Sequence, residues 1–221
     1  MKIIAINGGA RLKGNTGRLL DSAIEGVRST GAEVERFDLY KLDFKGCKGC
    51  FGCKRTGSKS LFNCAACDGL TPVLEAVREA DGFIVASPIY FMDITGETRS
   101  FLERLLFPLL PYDLRITEGS YCPREIKCGF IYTMGQPQGV LEDRLKVMED
   151  FCSQIFRTQT KSLHFNSSFP FLDAPSKYEV APGSLDAAFE MRDENIKAQC
   201  EAAFRFGVEL ATMEGKVRSE G

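Results

Sequence analysis

Histidine is nearly absent from this sequence: His164 is the single one among 221 residues. It falls in a predicted strand with no partner close in sequence, so it reads as structural, and a hydrolase built on a Ser–His or Cys–His pair is disfavoured. Charge of one sign is lacking too. The 28 Lys and Arg against 30 Asp and Glu leave a formal net charge of -2, with a pI near 5.7. That balance suggests neither a nucleic-acid binder nor a membrane-surface protein. No apolar run approaches the roughly 20 residues that a transmembrane helix needs. The first apolar run, residues 3–6, is too short for a secretory leader and is followed by glycines, so no signal peptide and a cytoplasmic location are expected. Internal repeats and dividing linkers are missing as well. The 44% of hydrophobic residues suffices for the core of one α/β domain.

What is present begins at residues 7–16, Asn-Gly-Gly-Ala-Arg-Leu-Lys-Gly-Asn-Thr. The apolar run before this stretch reads as a buried strand. The segment after it places Leu19, Leu20, Ala23, Ile24 and Val27 on one helical face. Such a loop sets free backbone N–H groups and a basic side chain at the positive end of a helix dipole, where an anion binds. The spacing Gly9-x4-Gly14-Asn15-Thr16 has the outline of a Walker A loop, but Asn15 stands where that loop needs its lysine, which argues against nucleoside triphosphate hydrolysis. No Gly-x-Gly-x-x-Gly follows the strand, so a dinucleotide pyrophosphate turn is not supported. Two readings remain: a grip for one phosphate made by Arg11, Asn15, Thr16 and backbone amides, or a plain turn capped by Asn15 or Thr16.

Further strands are predicted at residues 33–39, 82–86, 126–133 and 160–165, and helices at 71–80, from about 96, at 140–156 and at 193–213. The helix at 140–156 is expected to bury Leu141, Leu145, Met148, Phe151, Cys152 and Ile155. The last is expected to bury Ile196, Cys200, Phe204 and Val208. Strands alternating with helices give a parallel sheet covered on both faces. The expected fold is a flavodoxin-like, doubly wound α/β domain over residues 1–221, five parallel strands in the order 2-1-3-4-5. It carries a Cys-rich insertion at 45–69 and an excursion at 107–124. Three strand-end loops should meet on one edge of the sheet: residues 7–16, 87–91 and 133–137.

Those loops resemble the NADPH-dependent FMN reductase family over residues 1 to about 156. The family's first loop reads Gly-Ser-Pro-Arg, then Asn-Thr. Gly8, Arg11, Asn15 and Thr16 match it, while Gly9 and Ala10 replace the Ser and Pro. Its second loop, Ser-Pro-x-Tyr, stands intact as Ser87-Pro88-Ile89-Tyr90, and Gly96 fits the glycine before its helix. Thr133-Met134-Gly135 is a looser match to its Thr-Gly-Gly. The resemblance implies an FMN phosphate held by Arg11, Asn15, Thr16 and the Gly9 amide. Pro88, Ile89, Tyr90 and Phe91 would then lie against the isoalloxazine edge, with Thr133, Met134 and Gly135 on its other flank. It implies an oxidoreductase that takes electrons from NAD(P)H and passes them to a small acceptor such as a quinone or free flavin, in a dimer or tetramer. The flavin does the redox work in such chemistry, so no catalytic side chain is named.

Nine cysteines are many for a chain of this kind. In a reducing compartment their clustering points to metal or redox chemistry rather than disulfides. Cys47-x2-Cys50-x2-Cys53 matches the opening of a ferredoxin [4Fe–4S] motif, and Cys64-x2-Cys67 follows. The iron–sulfur flavoprotein branch of the family carries a compact motif in this connection, with its fourth cysteine closer to the third. The fourth ligand here is therefore open between Cys64 and Cys67. Two further readings stand beside the cluster: a zinc site from Cys50, Cys53, Cys64 and Cys67, and free thiols in a loop near the flavin. Lys45, Lys48, Lys54 and Arg55 would offset the charge of a thiolate-ligated cluster. A cluster would turn the function towards an electron carrier between protein partners. Zinc without flavin would mean an interaction module. Cys128, Cys152 and Cys200 read as small buried hydrophobes.

Overall fold

The apolar runs of the sequence become strands because each can be buried on both faces at once. A computed structural model describes residues 1–112, 119–171, 173–181, 183 and 185–214. In chain order the elements are β1 (Lys2–Asn7), α1 (Asn15–Ser29), β2 (Glu33–Asp38), α2 (Thr71–Glu79), β3 (Gly82–Tyr90), β4 (Asp93–Ile94), α3 (Gly96–Leu106), β5 (Lys127–Thr133), α4 (Glu142–Phe156), β6 (Lys161–Phe165), α5 (Asp186–Glu190) and α6 (Arg192–Thr212). The parallel strands lie in the order β2-β1-β3-β5-β6, with β4 paired antiparallel to the end of β3. This is the expected flavodoxin-like order. Among the described residues no helix is long and apolar enough to cross a membrane.

Alternation along β1 divides the core in two. Ile4 and Ile6 join Val73 and Val77 of α2, Phe101 and Leu105 of α3, and Leu145 and Ile155 of α4 on one face of the sheet. Ile3 and Ala5 join Leu19, Leu20 and Ala23 of α1 with Ile196, Ala203 and Leu210 of α6 on the other. The two helices on that second face touch backbone to backbone. A Cβ on Gly26 would come within 2.0 Å of the Phe204 carbonyl oxygen, and one on Gly207 within 2.1 Å of the Ala23 oxygen.

That close approach sets the rotation of α6 and corrects its expected face. Phe204 is exposed, while Ala203, Phe206, Gly207, Leu210 and Ala211 are buried and Cys200 is half-buried. A large ring could not fit where the helix axes come nearest. Phe151 is also exposed rather than inside α4's buried face. The expected loop at residues 87–91 is instead mostly strand: Ser87 and Pro88 pair with Tyr132 and Thr133 of β5. The chain turns at Phe91 and Met92, both left-handed at φ 50° and 70°, into β4. Ser87, preceding a proline, is already biased towards extended backbone.

The excursion is docked on the Cys-rich segment rather than projecting from it. Phe51 meets Phe107 at 5.7 Å and Tyr112 at 6.4 Å between ring centroids, and Phe62 meets Tyr121 at 4.3 Å. Lys54 Nζ donates to the carbonyls of Pro108 and Leu110. Residues 113–118 of the excursion lie outside the described residues.

Gly207→Ala is expected to lower the stability to chemical denaturation by about 1–3 kcal/mol, the range for forcing atoms into a packed interface. An unchanged denaturation midpoint would mean that α1 and α6 do not pack this closely.

Candidate functional site

The loop after β1 is fastened from below by side chains that the sequence does not mark. Asn7 is fully buried. Its Oδ1 accepts from the Gly9 N–H at 3.0 Å, and its Nδ2 donates to the Gly9 carbonyl at 3.3 Å and to Asp38 Oδ1 at 3.0 Å. Burial raises the Asp38 carboxyl, but hydrogen bonds from Arg36, Asn7 and Lys41 outweigh it and hold the group below its ordinary value, hence ionised. The Gly8 N–H donates to the Ala86 carbonyl at 2.7 Å, and its own carbonyl accepts from Thr95 Oγ1 at 2.9 Å. A Cβ at Gly8 would stand 1.9 Å from Thr98 Oγ1, so only glycine fits. Thr95 also caps α3, accepting from the Thr98 N–H at 3.3 Å, and its N–H donates to Ser87 Oγ at 3.1 Å. One buried hydroxyl cluster therefore ties the first loop, the end of β3 and the start of α3 together.

Above this base the start of α1 is left open. Gly14 is the N-cap residue and no side chain caps the first turn. The two residues expected to cap a plain turn are engaged elsewhere. Asn15 Nδ2 donates to the Phe169 carbonyl at 3.1 Å, and Thr16 Oγ1 shares a 2.6 Å hydrogen bond with Thr133 Oγ1. Uncapped first-turn N–H groups at the positive end of a 15-residue helix make an anion site. Arg11 beside them is exposed and makes no ion pair among the described residues.

A single cleft unites the three loops. Gly9, Arg11, Asn15 and Thr16 line it from the first, Pro88, Ile89 and Tyr90 from the second, and Thr133, Met134 and Gly135 from the third. Phe91 does not line it. It stands fully exposed at the tip of the β3–β4 turn, because the left-handed backbone there swings its side chain outward. Ser168 and Pro170 line the cleft without any sequence signal. They arrive because the chain after β6 folds back, with the Ser168 N–H donating to the Met134 carbonyl at 2.9 Å. Burial and then a hydrogen bond to Glu97 push the Tyr40 phenol up to about 12, so it stays a neutral donor.

The cysteines form a second, separate cavity of about 230 Å³. Cys47, Cys50, Cys53 and Cys64 line it, while Cys67 lies outside and exposed. The turns between the first three thiols pass through left-handed backbone at Gly49 (φ 62°) and Phe51 (φ 56°). Burial pushes the Cys53 thiol up, with the neighbouring Lys54 ammonium working against it. The rest of the lining combines Phe51, Phe107 and Pro108 with the charged Lys48 and Glu103 and the buried guanidinium of Arg104, whose Nε donates to Cys64 Sγ at 3.2 Å. Among the described residues no three Cys, His, Asp or Glu side chains converge on one point as a single-ion site. Cys128 and Cys152 are fully buried in the core, where burial pushes both thiols up, and Cys200 is half-buried. His164 shares a 3.2 Å hydrogen bond with Ser162 Oγ and lies edge-on to Tyr132, away from both cavities.

Thr95→Ala removes an N-cap and the Gly8 tether together, and should cost about 1–2 kcal/mol of stability. Amide hydrogen exchange should quicken at Gly8 and Gly9. Unaltered protection there would show that the loop holds its shape without Thr95.

A family model described as NADPH-dependent FMN reductase matches residues 1–120. An iron–sulfur flavoprotein of Archaeoglobus fulgidus is 32% identical over 122 residues, 55% of this chain and 51% of that protein. Another, from Methanocaldococcus jannaschii, is 33% identical over 104 residues, 47% of this chain and 51% of its own. The chain thus spans about half the length of the relatives it matches. Among solved structures, an NAD(P)H:quinone oxidoreductase from Methanothermobacter marburgensis superposes with a TM-score of 0.62 at 15% identity, covering 97% of this chain and 98% of that one. An azoreductase from Bacillus anthracis does so with a TM-score of 0.64 at 14% identity, covering 95% and 99%. The structures share the fold; the family match spans the first and second loops, the hydroxyl cluster and the Cys-rich segment. The chain belongs to the NADPH-dependent FMN reductase family.

Proposed function

We propose that the chain is an FMN-dependent oxidoreductase that draws electrons from NAD(P)H and delivers them to a small acceptor such as a quinone or free flavin. The observation that carries this reading is the single cleft that joins an uncapped helix N-terminus to two further strand-end loops. The residues present fit the cofactor. The first-turn amides of α1 and Arg11 would hold the phosphate, with Asn15 and Thr16 fixing the loop through Phe169 and Thr133, whereas the Gly9 amide expected in that role is already donated to Asn7 Oδ1. Pro88, Ile89 and Tyr90 on one side, and Thr133, Met134 and Gly135 on the other, would frame the ring system. Phe91 is left out of this set because of its position outside the cleft. Bound FMN supplies a ring that accepts hydride from the nicotinamide and passes the electrons on. The chain's own part is to bind, orient and exclude water. We infer a homo-oligomer, dimer or tetramer, from the same family resemblance.

A second reading is favoured by the cysteine cavity, and by the name iron–sulfur flavoprotein that the relatives carry. Its volume of about 230 Å³ exceeds what one metal ion occupies, and four thiols with the C-x2-C-x2-C start suit a [4Fe–4S] cluster. Cys47, Cys50, Cys53 and Cys64 would hold it, with Cys67 as a bystander. The cluster would supply one-electron steps between the flavin and a protein partner, which makes the chain an electron carrier.

The visible spectrum of anaerobically purified protein, with iron and sulfide content, tests both readings. Flavin bands that NADPH bleaches rapidly support the reductase. Added broad absorbance with about four irons per chain supports the carrier. Colourless protein that contains zinc and takes up no FMN would overturn both. Arg11→Ala removes a charged phosphate contact of about 1.5–3 kcal/mol, so the FMN dissociation constant should rise roughly 10- to 100-fold in a fluorescence titration. An unchanged constant would remove Arg11 from the phosphate site.

A further inference from the structure

Arg104 is an arginine buried where only a specific partner justifies one. Its side chain is 1% exposed, on the face of α3 that looks into the cysteine cavity. A guanidinium carries five N–H donors in a fixed fork, and a buried one is tolerated only when they are used. Nη1 donates to the Lys45 carbonyl at 3.0 Å and to Asp68 Oδ2 at 2.6 Å, and Nη2 to the Ala66 carbonyl at 3.1 Å. These bonds clasp the two ends of the Cys-rich segment to one helix. Of the two donors left, Nε–H is spent on Cys64 Sγ at 3.2 Å. A neutral thiol is a weak acceptor, whereas a thiolate is a strong one, and a charge-assisted bond of this kind is about twice as strong as a neutral one.

We propose that Arg104 is a positioning residue that turns the Cys64 sulfur into the cavity as the fourth ligand of a cluster and raises that cluster's reduction potential. The proposal rests on the cluster reading above. Reduction adds an electron that is shared onto the ligand sulfurs. A donor aimed at one of them, with its charge shielded from water, stabilises the reduced form more than the oxidised one. Asp68 offsets part of the charge through Nη1, while the Nε–H bond stays aimed at the sulfur. Among the described residues no equivalent donor reaches Cys67, which lies outside the cavity. The same helix is capped by Thr95, which tethers Gly8 beneath the loop that lines the other cleft. At 1.5 Å per residue its nine-residue separation from Arg104 spans about 13 Å, so α3 sets the distance between the two sites.

The test uses the full chain after anaerobic reconstitution with ferrous iron, sulfide and FMN, followed by metal analysis and a redox titration read by electron paramagnetic resonance. Arg104→Gln should keep FMN and shift the cluster midpoint to more negative potential. Arg104→Lys, which keeps the charge but loses the fork, should shift it the same way by less. Should Arg104→Gln fail to retain iron, the midpoint of Arg104→Lys decides. Cys64→Ala should lose iron, and Cys67→Ala should keep it. Unshifted midpoints in iron-replete Arg104 variants would overturn the proposal, as would iron kept by Cys64→Ala and lost by Cys67→Ala. Loss of iron from both Arg104 variants with FMN retained would overturn the tuning role and reduce Arg104 to a brace. Wild-type protein that binds FMN but takes up no iron sinks the cluster reading itself, and that outcome is visible before any variant is made.

Discussion

The contact between Gly8 and the first turn of α3 is the constraint on which the rest depends. A residue without a side chain lies against Thr98, and its carbonyl is taken by the Thr95 hydroxyl. The first loop is thereby locked to the end of β3, whose Ser87 belongs to the same hydroxyl cluster. Buried hydroxyls cost free energy unless every one is paired, so the cluster has few alternative arrangements. With the underside of the loop fixed, its upper side and the uncapped start of α1 face the cleft. The proposed phosphate grip is a consequence of what is satisfied beneath it.

The same helix organises the second cavity. α3 begins at the hydroxyl cluster and, further along, presents Arg104 to both ends of the Cys-rich segment. The excursion after α3 then closes over that segment through Phe51, Phe107 and Tyr112, with Lys54 reaching across to its carbonyls. A connection rich in Gly, Lys and Cys has little apolar surface of its own to bury. Its order comes from being pinned by one buried guanidinium and covered by aromatic rings from elsewhere in the chain. Burying an unpaired guanidinium would be costly, so its bonds to Lys45, Ala66 and Asp68 hold the segment in one shape.

Much of the architecture was legible because it rests on short-range periodicity. The apolar runs in β1, β3 and β5 and the helical faces of α1 and α2 follow directly from local pattern, while the order of the parallel strands came with the fold class that alternating strands and helices imply. Errors arose where a neighbour decides. Phe204 fits a helical stripe on paper but is displaced outward by the backbone contact of Gly26 with α6. Residues 87–90 read as loop because of Pro88, yet β5 pairs with Ser87 and Pro88, and β4 with Ile89 and Tyr90. Phe91 belongs to a motif by sequence and leaves the cleft because of two left-handed residues at a turn.

By itself the sequence determined which residue types are available at three strand ends and at one cysteine cluster, since composition and spacing are local properties. It held no sign that Asn15 and Thr16 brace the loop through Phe169 and Thr133 instead of capping α1, for those partners lie more than a hundred residues away. Nor could it separate Cys64 from Cys67, two residues of the same type three positions apart. Only the tertiary structure places them differently, with Cys64 in the cavity wall within reach of a hydrogen bond from a buried arginine on a distant helix and Cys67 outside that wall.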